Sequence, residues 1–197
     1  VTGVQTCALP ILWTREDDMK NDFYRPGGTH ELIAGLDEND QPIAWSQRLA
    51  SGSKYYRRPN MPDEDLWKAE LYPDDFPKAM LDHYRLEYFH NDIALPRGSW
   101  RAPAHAANAF VIQSFLDEIA HETGQDPLAL RLKLLAKVEK QDYSGHGGPE
   151  MTTARLSRLL EFVAKRIDYD RKRPAGSGVG IAGHFTFGGY AAHAIRS

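Results

Sequence analysis

A glycine-led loop that runs directly into a long amphipathic helix is the feature that most constrains this chain. Gly98-Ser99-Trp100-Arg101 precedes apolar residues spaced three and four apart, which predicts a helix near residues 104–122. The apolar positions are Phe110, Ile112, Phe115, Leu116, Ile119 and Ala120. Gly124 follows them, where glycine readily ends a helix. Such a helix has to bury its apolar face against other elements.

Two further helices are predicted downstream. Asp126 and Pro127 form a start signal, with an aspartate cap followed by proline in the first turn. The leucines that follow predict a helix near residues 127–140, and a second run predicts one near residues 152–168.

Strand patterns lie on both sides of this helical region. Residues 29–36 and 42–49 flank a polar turn and predict a hairpin, and residues 83–90 alternate between apolar and polar side chains. Two glycine-spaced apolar runs, residues 177–186 and 189–195, predict a final pair of strands. The fold class predicted from these patterns is α+β.

Arg101 stands beside the predicted start of the first long helix, which makes this loop a candidate anion site. The unpaired N–H groups and the dipole of a helix N-terminus both favour negative charge. The more ordinary interpretation is that Arg101 pairs with a nearby carboxylate, such as Glu87 or Asp92. Spacing alone leaves both open.

Composition narrows the classes of function. The 197 residues carry a formal net charge of -3, which argues against a dedicated nucleic-acid-binding protein. No apolar run approaches the roughly 20 residues that a membrane-spanning helix needs. The eight histidines show no spacing typical of a metal site. His184 and His193 flank the last turn and could face each other, but no catalytic or metal-binding residue is predicted.

Residues 1–11 show no helix cap, no turn signal and no apolar periodicity. We interpret them as a non-native, sequencing-adaptor-derived segment. They contain Cys7, the only cysteine, so the remaining chain offers no thiolate for a disulfide or an iron–sulfur cluster. We expect residues 12–197 to be part of a longer domain.

Three stretches resemble, in the same order, the large molybdopterin-binding subunit of the xanthine dehydrogenase/aldehyde oxidase superfamily. The most similar branch is the isoquinoline 1-oxidoreductase beta-subunit type. The stretches are residues 13–26 (with WTREDDM and FYRP), residues 98–120 (with GSWR, NAF and QSFLDEIA) and residues 178–190 (with GVGIA and FGGY). The middle stretch is the most specific.

The resemblance implies a molybdenum hydroxylase that oxidises an aldehyde or an N-heterocycle with water-derived oxygen. It implies molybdopterin in its cytosine dinucleotide form, with iron–sulfur clusters on a separate small [2Fe-2S] subunit. The resemblance also implies that Trp100, Arg101 and Ala102 correspond to the family's loop beside the cofactor. The compartment stays open between the periplasm and the cytoplasm of a bacterium.

The chain departs from the family at several positions. Pro103 stands where xanthine dehydrogenases carry a substrate-clamping phenylalanine, and Gln113 stands where the wider superfamily often has glutamate. The family's catalytic glutamate is expected beyond Ser197, so this chain alone is expected to be inactive. The alternative is a self-contained, non-catalytic binding or assembly module that docks an electron-transfer partner through residues 55–75.

Overall fold

A computed structural model describes residues 12–146 and 148–197. The elements in chain order are α1 (Arg15–Asn21), β1 (Gly28–Leu36), β2 (Pro42–Ser51), β3 (His83–His90), α2 (His105–Glu122), α3 (Pro127–Leu135), β4 (Lys140–Gln141), β5 (Met151–Thr152), α4 (Thr153–Arg166), β6 (Val179–Thr186) and β7 (Gly189–Arg196). Short 3-10 turns cover Lys54–Arg57, Asp63–Ala69, Lys78–Met80 and Ser144–His146. The mixed α+β class is confirmed. No helix in these two described ranges is both long and apolar enough to cross a bilayer.

The first half of the chain builds a three-stranded sheet in the order β1-β2-β3. The predicted hairpin is confirmed, with Leu32 opposite Gln47 in an antiparallel register. β3 then lies parallel to β2, with Gln47 opposite Leu86. A parallel neighbour requires a connection that crosses the whole sheet, and residues 52–82 make that crossing.

Much of this crossing lies in the interior. Leu66, Ala69, Leu71 and Tyr72 are all less than one tenth exposed. Residues 55–75 are the segment expected to dock a partner under the alternative interpretation. Their exposed side chains lie mainly between Arg57 and Glu64. That leaves less free surface for the docking alternative than the sequence suggested.

The second half packs three helices and a hairpin around one core. Leu116 of α2, Leu130 and Leu134 of α3, and Leu160 of α4 are fully or almost fully buried. The β6–β7 hairpin covers α4 through Phe185 and its neighbours. Trp45 of the three-stranded sheet meets Phe115 edge-on, with ring centroids 4.9 Å apart, and so joins the two halves.

The helix starts and stops follow the predicted signals in part. Gly124 ends α2 with a φ of 65°, as predicted. Asp126 caps α3 by accepting a hydrogen bond from the amide of Ala129 at 2.8 Å.

The prediction that this second helix continues to residue 140 is wrong, because α3 ends at Leu135. The chain turns there so that Lys140–Gln141 can pair with Met151–Thr152. Phe110 also departs from the predicted apolar stripe, since it is 72% exposed.

Candidate functional site

The loop that precedes α2 packs against the segment that follows α1. The amide of Gly98 donates to the carbonyl of Tyr24 at 3.0 Å, and the amide of Tyr24 donates to the carbonyl of Pro96 at 2.9 Å. The indole Nε1 of Trp100 donates to the carbonyl of Phe23. A Cβ on Gly98 would lie 2.8 Å from the Cβ of Phe23, so glycine permits this close approach. Two of the three stretches that carry the resemblance therefore contact each other.

Arg25 holds the loop from the same side. Its guanidinium donates to the carbonyl of Arg101 at 2.8 Å and to the carbonyl of Ala102 at 3.1 Å. Ala102 has a φ of 52°, in the left-handed region that residues with a Cβ rarely adopt. Charge-assisted hydrogen bonds to both carbonyls stabilise this conformation. The position and shape of the predicted cofactor loop are thus fixed by a residue more than seventy positions upstream.

The side chain of Arg101 is exposed, and in the described ranges it forms no ion pair. Glu87, one of the two carboxylates expected beside it, binds Arg48 instead, with an Nε···Oε2 distance of 2.7 Å. The other, Asp92, binds the buried guanidinium of Arg97 at 2.7 Å. The ion-pair interpretation of Arg101 is therefore wrong, and its charge is available to a ligand.

A cavity of about 480 Å³ lies beside this loop, between the three-stranded sheet and α2. Trp100 and Arg25 line it on the loop side, and Ser51 and Asn108 line it deeper inside. Asn108 donates through Nδ2 to the carbonyl of Glu70 at 3.0 Å. The Oδ1 atom of Asn108 and the hydroxyl of Ser51 are buried and have no hydrogen-bond partner among the described residues. A buried polar atom that lacks a partner can be satisfied by a polar ligand.

One ionisable pair also lines this cavity. Burial lowers the pKa of Lys54 and raises the pKa of Glu70. Both shifts have the same cause, which is removal of a charged group from water. Glu70 accepts a hydrogen bond from the amide of Lys54 at 2.8 Å, and the ammonium of Lys54 donates to the carbonyl of Ala69 at 2.8 Å. The pair makes the cavity floor polar without giving it a single sign of charge.

Gln113 joins three elements rather than facing this cavity. Its Oε1 accepts from Nε of Arg131 at 2.8 Å, and the same atom accepts from the amide of Gly183 at 3.4 Å. Arg131 also donates to the main-chain carbonyl of Gln113 at 2.8 Å. The third stretch of the resemblance, which contains Gly183, is thereby tied to the second.

Sequence reasoning missed a cluster made of Asp75, His105 and His184. Nε2 of His184 lies 3.2 Å from Nδ1 of His105, and one possible ligand atom of each of the three side chains lies within 4.8 Å of the others. His193 shares a sheet face with His184, because it pairs with Ala182, but it is not part of the cluster. No spacing rule could find the cluster, since its members come from a loop, a helix and a strand.

Two curated proteins are partly similar to this chain. A membrane-bound aldehyde dehydrogenase (pyrroloquinoline-quinone) of Gluconacetobacter polyoxogenes is 28% identical, over 79% of this chain and 22% of that protein. The beta subunit of isoquinoline 1-oxidoreductase of Brevundimonas diminuta is 25% identical, over 88% of this chain and 21% of that protein. The chain spans about a fifth of the length of these relatives, both of which are oxidoreductases by name. No family model matches the chain.

Proposed function

We propose that this chain is part of the large subunit of a molybdopterin-dependent hydroxylase, in which residues 98–104 form one wall of the cofactor pocket. The observation that carries the proposal is the held loop. Trp100 lines a cavity at the start of α2, and Arg101, which follows it in the chain without lining that cavity, has no ion-pair partner in the described chain. The similarity to an aldehyde dehydrogenase and to an isoquinoline oxidoreductase supports the oxidoreductase part of the proposal.

The residues around the cavity fit a pterin cofactor. The unpartnered Oδ1 of Asn108 can accept from a ring N–H or amino group, and the hydroxyl of Ser51 can donate or accept. Arg101 offers a permanent positive charge to the anionic groups of the cofactor. We propose that Trp100, Arg101 and Ala102 hold it. When bound, such a cofactor supplies the oxidation of an aldehyde or an N-heterocycle with water-derived oxygen.

The chain's own residues orient and bind rather than react. Arg25 fixes the two carbonyls of the loop, and the indole hydrogen bond fixes Trp100, so the binding surface is organised before a ligand arrives. We assign no catalytic residue to this chain. The general base is expected in another part of the complete subunit.

The same proposal implies a partner subunit. The second relative is by name a beta subunit, which implies an assembly of more than one chain for that enzyme. We propose that the parent of this chain works with a small [2Fe-2S] subunit that receives the electrons.

The cofactor named for the first relative is pyrroloquinoline quinone, which also carries several carboxylates. An exposed arginine would suit that anion too. Analysis of the complete parent enzyme for molybdenum by mass spectrometry, and for the quinone by chromatography, separates the two. Molybdenum close to one atom per subunit supports the proposal, and quinone without molybdenum contradicts it.

The role of Arg101 is tested by Arg101→Ala in the complete parent enzyme. Loss of one charge-assisted hydrogen bond, about 1.5 kcal/mol or more, corresponds to about tenfold weaker cofactor binding. We expect molybdenum content and activity to fall while the subunits still assemble. Arg158→Ala, at an exposed position on α4, is the matched control and is expected to change neither. Unchanged molybdenum loading in Arg101→Ala would rule out the assigned role.

A further inference from the structure

We propose that Asp75, His105 and His184 form a binding site for one divalent transition-metal ion such as Zn²⁺. Asp75 comes from the crossing between β2 and β3, His105 is the first residue of α2, and His184 lies on β6. The three possible ligand atoms lie within 4.8 Å of one another. The site does not depend on the cofactor assigned to the loop before α2, so each proposal can fail without the other.

The two imidazoles have a separation that suits a shared ion. Nε2 of His184 and Nδ1 of His105 are 3.2 Å apart. Zinc–nitrogen bonds are about 2.0–2.1 Å long, so nitrogens at that separation subtend an angle of about 100° at the metal. That angle is close to the tetrahedral value of about 109° that four-coordinate zinc prefers.

Hydrogen bonds behind the proposed ligands orient them in the way that metal sites require. Nε2 of His105 lies 2.8 Å from Oγ1 of Thr186, which can accept a hydrogen bond from the Nε2–H and so leave Nδ1 with its lone pair. The phenol of Tyr143 donates to Oδ1 of Asp75 at 2.8 Å. The other carboxylate oxygen, Oδ2, is buried and has no hydrogen-bond partner among the described residues. A metal ion would give that oxygen its missing partner.

Charge supports the same assignment. Asp75 is 2% exposed, and no ion pair in the described ranges reaches it. A divalent cation would compensate the buried carboxylate, and neutral imidazole is the form that binds metals. Two nitrogens and one oxygen favour transition metals over Ca²⁺ and Mg²⁺, which prefer oxygen ligands.

The site can be reached from solvent. Both histidines line a groove of about 490 Å³ between α2 and the outer face of the β6–β7 hairpin. A water molecule or a small ligand entering by this groove could complete the coordination of the metal, since three protein ligands leave a fourth tetrahedral position open.

The test is metal titration of the chain without an affinity tag and with Cys7→Ser, which removes the only thiol. After treatment with a chelator, Zn²⁺ binding is followed by calorimetry and Co²⁺ binding by visible absorption. We expect one equivalent of each metal, a higher melting temperature with Zn²⁺, and no response to Ca²⁺ or Mg²⁺. A folded chain that binds no Zn²⁺ would overturn the proposal.

Variants assign the ligands. Asp75→Asn keeps an acceptor for Tyr143, and His184→Gln shortens one ligand; each is expected to weaken Zn²⁺ binding at least about tenfold. His193→Gln is the matched control on the same sheet face, and it should bind as the unmodified chain does. Equal losses in all three variants would contradict the assignment. Should His184→Gln fail to fold, X-ray absorption of the Zn²⁺-loaded chain decides, because two imidazole ligands are expected and fewer than two would refute the site.

Discussion

Ala102 stores backbone strain at the point where the proposed cofactor loop enters α2. A φ of 52° costs a residue with a Cβ about 1 kcal/mol or more. Arg25 binds the carbonyls of Arg101 and Ala102, one on each side of the Cα atom of Ala102, which explains why the conformation persists. A strained residue held in place by a distant arginine indicates a loop whose shape matters more than its stability.

The first prediction compares two glycine substitutions. Ala102→Gly relieves the strain but adds freedom to the unfolded chain, so the free energy of unfolding should change by less than about 0.5 kcal/mol. Ala106→Gly, in the exposed first turns of α2, should lower it by about 1 kcal/mol. Urea unfolding of both variants checks this, and equal losses would mean that Ala102 carries no strain.

The second prediction concerns the buried carboxyl of Glu70. Burial raises the pKa of this carboxyl. The folded state therefore loses stability as the pH rises through the raised pKa and the buried group becomes charged. Below the ordinary pKa range of a carboxyl this loss is absent. Glu70→Gln removes the charge and keeps an acceptor for the amide of Lys54. We expect the variant to gain stability over the unmodified chain at pH 7 and to gain less at about pH 4. The same difference at both pH values in urea unfolding would contradict this.

At the scale of elements, the joint between α2, α3 and β6 depends on one buried guanidinium. The side chain of Arg131 is 1% exposed and contacts Gln113, the carbonyl of Pro127 and, at 2.7 Å, the carboxylate of Asp117. Its loss would leave several buried acceptors without donors.

The third prediction follows from that joint. Arg131→Ala should lower the free energy of unfolding by about 3 kcal/mol, whereas Arg158→Ala, on the exposed side of α4, should change it by less than about 0.5 kcal/mol. Arg131→Lys keeps the charge but not the planar fork, so an intermediate loss is expected. Thermal and urea unfolding give all three values. A small effect of Arg131→Ala would show that the joint is held by apolar packing alone.

The elements that could be predicted are those with a long period or a strong end signal. The α2 helix and the β1–β2 hairpin follow from repeated apolar spacing and turn residues, and Gly124 and Asp126 mark helix ends as expected. The early end of α3 could not be predicted, because it is set by the pairing of β4 with β5, two strands of two residues each.

The candidate site could likewise be predicted from the sequence only in part. The sequence indicated the loop and Arg101, but it did not indicate that Arg25 would hold the loop, or that other arginines would take both expected carboxylates. These contacts join residues tens of positions apart. Local periodicity contains no information about them.

At the scale of the whole molecule, large apolar side chains remain on the surface. Phe110 of α2 and Ile195 of β7, which are 72% and 68% exposed, line one groove, and Phe162 of α4 is 60% exposed elsewhere. A segment of a larger subunit would have such surface covered by the rest of that subunit.

The fourth prediction separates the proposed segment from a self-contained module. If the chain is a segment, it should bind a hydrophobic fluorescent dye and self-associate, and Phe110→Ser should reduce dye binding more than the control Phe162→Ser. Sedimentation and dye titration provide the measurement. A monomer that melts cooperatively without binding dye would favour the module.

The parallel pairing of β3 with β2 also sets an order of assembly in time. β1 and β2 are neighbours in sequence and can pair as soon as both have been synthesised, whereas β3 has to wait until residues 52–82 have crossed the sheet. Closing a loop of that length costs conformational entropy before the packing of β3 compensates for it. Until then the edge of β2 that β3 will cover stays unpaired, and another strand or a chaperone could bind it there.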